Sequence, residues 1–430
     1  MVRGRAGDAD IIGLTVTAPL QAGVIHRLTP SAKTEITMPD LSFLPDLRLT
    51  GAEVLQDGAM RHEAVGLSQG RFVDAFLPEV DLSGFWVMPG IIDLHGDGFE
   101  RQIFPRPTAP FPIASGLAAT DREAAAHGVT TAYLAQSWSW EGGHRGPDQA
   151  EALLAAVREY PALTDLRVQI RAETHLVEAA ERLLATVERF GVDYVVFNDH
   201  LEEGFQMWRS NTDGFAHWAR KAALSPDELF ARMEAARART REVPRVLCAL
   251  SNGLERLGVT YGSHDDPDAE TRQFYAMLGA RVAEFPTSRK AAAAARALGS
   301  PVIMGAPNVV RGGSQAGNIA AEALLRDGLC DVLVSDYHIP ALVLAVWKLV
   351  DERILPMAQA WAMVSSNAAD VLGMADRGRI AAGLRADLTV VNAATRAVEA
   401  TIAGGRLTYL AGEAGQRFMA ARQVMRMAAE

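Results

Sequence analysis

The feature that most constrains this chain is a run of short apolar strands alternating with helical segments. Buried-type strands are read at Thr131 to Leu134, Leu166 to Ala172, Tyr194 to Phe197, Gly258 to Gly262, Arg281 to Phe285, Pro301 to Met304 and Val332 to Val334. An eighth precedes them, Phe85-Trp-Val-Met-Pro-Gly-Ile-Ile-Asp-Leu-His95. Between strands, segment 176–190 puts Val177, Ala180, Leu183, Leu184, Val187 and Phe190 on one helical face and stops at Gly191. A helix from Ser288 carries Ala291 to Ala295 and ends at Gly299. Eight βα units over about 290 residues predict an α/β fold of the (β/α)8 barrel type, a doubly wound sheet being the alternative.

The flanks read differently. From Leu47 the chain forms short strands with turns at Asp57-Gly58 and Gln69-Gly70, and from Asp376 it returns to that texture at Gly383, Asp387 and Gly404-Gly405. The expectation is one small discontinuous β domain, 47–84 and 376–411, around a barrel over 85–375. Residues 412–430 read as a terminal helix with a polar face, and 1–46 as an N-terminal extension without identifiable chemistry.

Composition narrows the partners. Forty-two basic against 52 acidic residues leave a net charge of −10, which argues against nucleic acid, since such a partner needs a basic face. Cys248 and Cys330 are too few for a disulfide framework, so a reducing compartment is expected. No apolar run approaches the ~20 residues of a membrane span, and Asp8 and Asp10 fall where a signal sequence would turn apolar. A cytoplasmic protein acting on small molecules is the expectation, with no membrane or nucleic-acid partner; assembly into a homo-oligomer stays open.

In a barrel, chemistry gathers where strands end and the following loops begin. Those ends here read Asp93-Leu-His95-Gly-Asp97, Arg171-Ala-Glu173-Thr-His175, Asn198-Asp-His200, Ser263-His264-Asp265-Asp266 and Ser335-Asp336-Tyr337-His338. Five strand ends thus offer imidazole or carboxylate, donors that suit zinc, manganese or iron. A lone histidine is more often surface or packing, and His26, His62, His127, His144 and His217 are read so. Downstream, Gly305-Ala-Pro-Asn308 and Arg311-Gly-Gly-Ser314 follow a strand directly, where glycines aim backbone N–H groups inward and arginine suits phosphate. With Arg106, held between Pro105 and Pro107, Arg311 and Asn308 suit a phosphorylated substrate. Trp138 and Trp140 are read as pocket lining or packing.

The series resembles the amidohydrolase superfamily: Met-Pro-Gly-Ile-Ile-Asp-Leu-His before the first donor, then an acidic residue, two further histidines and a final aspartate. Within it the chain resembles the PhnM family, the alpha-D-ribose 1-methylphosphonate 5-triphosphate diphosphatases of the carbon–phosphorus lyase pathway. Gly128-Val-Thr-Thr131, Ala283-Glu-Phe-Pro-Thr287, Met304 to Ser314, Ala316-Gly-Asn318 and Asp376-Arg-Gly378 carry this likeness in order. The resemblance implies a pair of divalent ions, zinc first, manganese or iron otherwise. His95, Asp97 and Asp336 would hold one ion, His200 and His264 the other, and Glu173 would bridge them, with His175 an alternative donor. A hydroxide bridging the ions would attack phosphorus, Asp336 taking its proton. Arg106, Asn308, Arg311, Ser314 and Asn318 would face the substrate.

Gly98, Glu202, Glu203 and Gln315 depart from the family pattern, so the substrate is less fixed than the hydrolysis. A phosphoanhydride or phosphoester hydrolase is the leading expectation. A carbon–nitrogen hydrolase, such as a deaminase or cyclic amidase, is the second, and a catalytically inert binding protein the third.

Overall fold

The computed structural model describes residues 43–106, 109–314 and 317–429. Residues 1–42 of the N-terminal extension, Pro107, Thr108, Gln315, Ala316 and Glu430 lie outside them. Eight strands, Ile91–Gly96, Val129–Trp138, Asp165–Glu173, Tyr194–Asn198, Thr260–His264, Val282–Glu284, Val302–Gly305 and Val332–Val334, lie side by side in chain order. Each neighbouring pair is parallel. The ring closes where Gly96 bridges to Asp336. The seam is pinned from both sides, by the Asp336 amide to the His95 carbonyl at 2.9 Å and the Asp97 amide to the Asp336 carbonyl at 2.7 Å. The fold is therefore the expected barrel. A Cβ at Gly96 would come within 2.8 Å of Ser335 Oγ and 3.0 Å of Asp93 Oδ2, so only glycine lets the first and last strands meet this closely.

One expected element divides in two. Phe85 to His95 was expected as a continuous strand opening the barrel. Phe85–Pro89 instead runs beside Leu388–Asn392 and Glu53–Gln56, and only Ile91–Gly96 enters the barrel. Gly90 makes the passage: its amide bonds the Asp387 carbonyl, and a Cβ there would sit 2.4 Å from Thr130 Oγ1. Apolar continuity across Gly90 hides the change of sheet, because both halves are buried.

The flanking strands form two sheets. One has six strands in the order Arg406–Leu410, Val398–Ala403, Leu388–Asn392, Phe85–Pro89, Glu53–Gln56, Ala59–Arg61, joining segments from both sides of the barrel. The other joins Arg71–Val73, Val65–Ser68, Leu47–Thr50 and Glu79–Asp81. Leu49, Val54, Val87, Leu388 and Ile402 fill the space among them. Asp57-Gly58 and Gln69-Gly70 are hairpin turns with both residues at positive φ, the geometry that matches strand twist.

Most helices fill the crossovers. Ala180–Phe190 ends at Gly191 in the left-handed conformation, and Arg289–Ala297 starts at Ser288, whose side chain accepts the Ala291 amide. Between the fourth and fifth barrel strands lie four helices that sequence reading passed over: Leu201–Ser210, Thr212–Lys221, Pro226–Ala238 and Val243–Arg256. The Ser225–Glu228 capping box was their clearest signal. The first three share a small core with Trp140, built on Phe205, Phe215, Leu229 and Met233. Gly412–Ala429 is the terminal helix. Among the described residues no helix is long and apolar enough to cross a membrane.

Candidate active site

Three non-glycine residues at the ends of barrel strands carry positive φ: Asp265 (59°), Phe285 (48°) and Asp336 (53°). Each immediately follows or nearly follows a barrel strand, and each still donates its amide to the next strand, to the carbonyls of Glu284, Ile303 and His95 respectively. The backbone thus keeps its ladder while the side chain turns. Such conformations cost about 1–3 kcal/mol each and persist where surrounding structure imposes them.

That turn gathers donors. His95, Asp97 and Asp336 each offer a ligand atom within 4.8 Å of the others, as do His200, His264 and Asp265, and as do His95, His264 and Glu284. The His95 and His264 rings lie 5.4 Å apart, which makes one neighbourhood of these groups. His264 Nδ1 lies 3.0 Å from Asp265 Oδ2, while its Nε2 is buried without a hydrogen-bond partner. Burial holds this imidazole's pKa down, so it stays neutral and keeps a lone pair. Burial and the Asp97 charge push the Asp336 carboxyl up to about 7. Clustered carboxylates and a buried imidazole with Nε2 unpartnered fit divalent cations, which would relieve both at once.

Glu173 stands one contact away. Burial would raise its pKa, but the facing His200 outweighs that and holds it at about 2. Its Oε1 lies 2.7 Å from His200 Nδ1 and accepts Asn198 Nδ2 at 2.9 Å; its Oε2 accepts the His200 amide and Trp140 Nε1. His200 opposes its own burial through Glu173 and Asp265 and reaches about 10. Glu173 and His200 therefore pair with each other, 2.7 Å apart, where the resemblance implies a cation. Asp265, which the sequence reading left without a role, joins His200 and His264 as the third donor of that group. Trp138 and Trp140 are both buried as packing, Trp140 supporting Glu173. His175 points elsewhere, to Thr174 Oγ1, Thr240 Oγ1 and, at 3.4 Å, Asp199.

Behind these groups sits Glu284, fully buried and likewise unassigned from sequence. It accepts Gln169 Nε2 and Tyr194 OH, both at 2.6 Å, and meets His95 Nδ1 at 3.0 Å. It fixes the His95 ring so that Nε2 is left for a ligand, a recurrent arrangement around metal-binding histidines. Asp93 is equally engaged: its two oxygens accept the Ser335 amide and hydroxyl at 2.9 and 2.6 Å across the barrel seam.

The cleft in front of the donors holds about 850 Å³ and is lined by His95, Asp97, His264, Asp265 and Asp336 together with Asn308, Arg311, Ser314 and Asn318. Four of the five residues expected to face substrate thus share a cavity with the donors. Within it, Asn308 Oδ1 caps the helix Ala321–Arg326 through the Ala321 amide, and Arg311 Nη1 reaches Tyr337 OH at 3.3 Å. Arg106 is the exception, exposed and absent from the lining. Arg106 lies in a bend after Pro105 with its side chain exposed, a placement that the Pro-Arg-Pro spacing alone does not reveal. Glu202 and Glu203 are exposed on their helix, Glu202 paired with Arg209 at 2.8 Å, so these departures from the family pattern leave the cleft without added negative charge.

Comparison with known proteins agrees with this geometry. A model described as the amidohydrolase family matches residues 113–414. The chain is 32% identical over 363 residues to the alpha-D-ribose 1-methylphosphonate 5-triphosphate diphosphatase of Escherichia coli, covering 80% of this chain and 91% of that one. Among solved structures, the dihydropyrimidinase of Brevibacillus agri matches with a TM-score of 0.58 at 12% identity, over 86% of this chain and 97% of that one. The N-acetylglucosamine-6-phosphate deacetylase of Pasteurella multocida matches with 0.55 at 11%, over 84% and 99%. These two likenesses speak for the fold alone. With its donor-bearing barrel and a family match across most of its length, the chain belongs to the amidohydrolase family and is a hydrolase.

Proposed function

We propose that this chain hydrolyses a phosphoanhydride, releasing pyrophosphate from a ribose 1-alkylphosphonate 5-triphosphate in phosphonate catabolism, as a cytoplasmic enzyme carrying two divalent ions, zinc first among them. The observation that carries this reading is the shared cleft: the donors His95, Asp97, His264, Asp265 and Asp336 line one cavity with Arg311, Asn308, Ser314 and Asn318, in a chain 32% identical to a diphosphatase with that substrate in its name. Divalent ions in such a site lower the pKa of water and polarise the phosphoryl oxygen.

The chain's own residues do the rest. We assign His95, Asp97 and Asp336 to one ion and His200 and His264 to the other. Asp265 would complete the second set, and Glu173, now paired with His200, would join as a shared carboxylate donor. Water adds to the phosphorus that bears the ribose ester, the bond from that phosphorus to the bridging oxygen breaks, and pyrophosphate leaves with the electron pair. Asp336 accepts the proton from water and returns it to the leaving oxygen. Arg311 at the cleft mouth neutralises the outer phosphates.

The test is a direct comparison of products. Cation-loaded protein is expected to release pyrophosphate from ribose 1-methylphosphonate 5-triphosphate and no ammonia or ring-opened product from cytosine or dihydrouracil. The opposite pattern would assign the same donors to carbon–nitrogen hydrolysis. No turnover of either, with no cation bound, would leave a binding protein.

A further inference from the structure

Among the described residues, the buried arginines other than Arg171 are engaged through their terminal nitrogens, although Arg272 Nε, like Arg171 Nε, is buried without a partner. Arg272 donates to Ser263 Oγ at 2.6 Å, Ala280 O at 2.7 Å and Val282 O at 3.0 Å. Arg377 donates to Asp165 at 2.6 Å and to Thr131 Oγ1 and Asp376 at 2.9 Å. Arg171 differs. It lies in the third barrel strand, two residues before that strand ends at Glu173, its side chain only 9% exposed, yet it lines the cleft beside His95, Asp97, His264 and Asp336. Among the described residues its guanidinium makes no hydrogen bond. Its nearest carboxylate oxygen, Asp97 Oδ2, is 3.8 Å away, and its Nε is buried without a partner.

A buried charge without hydrogen bonds is costly, so its persistence at a cleft floor calls for a ligand. The planar guanidinium fork matches two oxygens of one tetrahedral oxyanion. We propose that Arg171 binds the non-bridging oxygens of the phosphoryl group under attack, beside the donor groups, whereas Arg311 meets the outer phosphates. The division follows from depth: Arg171 is walled in next to Asp97, and Arg311 is exposed beside Tyr337. A substrate oxygen arriving at Arg171 displaces no existing hydrogen bond. Charge that builds on the equatorial oxygens during transfer meets a donor already in position. This assignment rests on the phosphoanhydride reading above.

Calorimetric titration of inorganic phosphate into the cation-loaded protein tests it, on wild type, Arg171→Met and Arg171→Lys, with metal content measured on the same samples. Charge-assisted bonds of this kind predict phosphate binding weakened about ten- to hundredfold in Arg171→Met, with Arg171→Lys intermediate and metal content as in wild type. In turnover the loss should fall chiefly on kcat, against a loss on KM for Arg311→Ala. Unchanged phosphate affinity in Arg171→Met overturns the proposal. So does loss of metal in Arg171→Lys as well as Arg171→Met, which would make Arg171 a counter-charge for the carboxylates. Phosphate binding that depends on Arg171, in a protein that releases no pyrophosphate from the triphosphate, would retain the oxyanion site and refute the reaction.

Discussion

Two sets of buried polar groups meet at the end of this barrel, and they differ in how fully their bonding capacity is used. In the inner set, Glu284 is held by Gln169, Tyr194 and His95, and Asp93 gives both oxygens to Ser335. In the set facing the cleft, His264 Nε2 has no partner, the Arg171 guanidinium makes no hydrogen bond among the described residues, and Asp97 and Asp336 crowd His95. Both sets come from the same strands, sometimes from residues four apart, as Asp93 and Asp97 are. Folded proteins leave few buried polar groups unsatisfied. The saturated set is therefore architecture, and the unsaturated set is prepared for something that binds.

Substitutions break the comparison at graded strength. The largest effect belongs to Asp336→Asn, which keeps the shape and removes the proton acceptor. Turnover should fall by about 10²–10⁴ while most of the metal stays, read by steady-state kinetics beside metal analysis. Wild-type turnover in that variant would take the role from Asp336. Next is Glu284→Gln, in the saturated set but touching the other. It should loosen His95 and lower metal affinity about 10–100-fold, measured by competition with a chelator. Unaltered affinity would place Glu284 wholly on the architectural side. Arg311→Ala should raise KM for a triphosphate substrate roughly tenfold, with metal content and kcat little changed, as expected from loss of one charge-assisted contact. Smallest on turnover is Asp93→Ala. It leaves the Ser335 amide and hydroxyl unpaired at the seam and should cost about 1–3 kcal/mol in urea unfolding without changing bound metal per folded chain. A drop in metal larger than the loss of folded protein would show that seam and site are not separable.

Much of this was legible in the sequence because barrel strands and their ends carry independent signals. Short apolar runs separated by helices imply parallel strands, and polar residues at strand ends imply a site, so the eight strands and the neighbourhood of His95, Asp97, His200, His264 and Asp336 could be read together. What escaped depends on geometry without a sequence period. The passage at Gly90 is invisible because Phe85–Pro89 and Ile91–Gly96 are both apolar. Glu284 reads as one more residue of a buried strand, and only the closed ring reveals that Gln169, Tyr194 and His95 converge on it. Asp265 enters the donor set through a positive φ that an aspartate's identity does not announce. Arg106 was expected in the cleft on its place after the first donor pair, and loop direction is not encoded in that spacing.

Metal stoichiometry bears on the central claim most directly. Protein exposed to zinc or manganese and dialysed free of excess should retain about two equivalents per chain by mass spectrometry, falling in His95→Ala and His264→Ala but not in Asp93→Ala. Retention no greater than a metal-free control, or equal retention in all four proteins, would contradict the account.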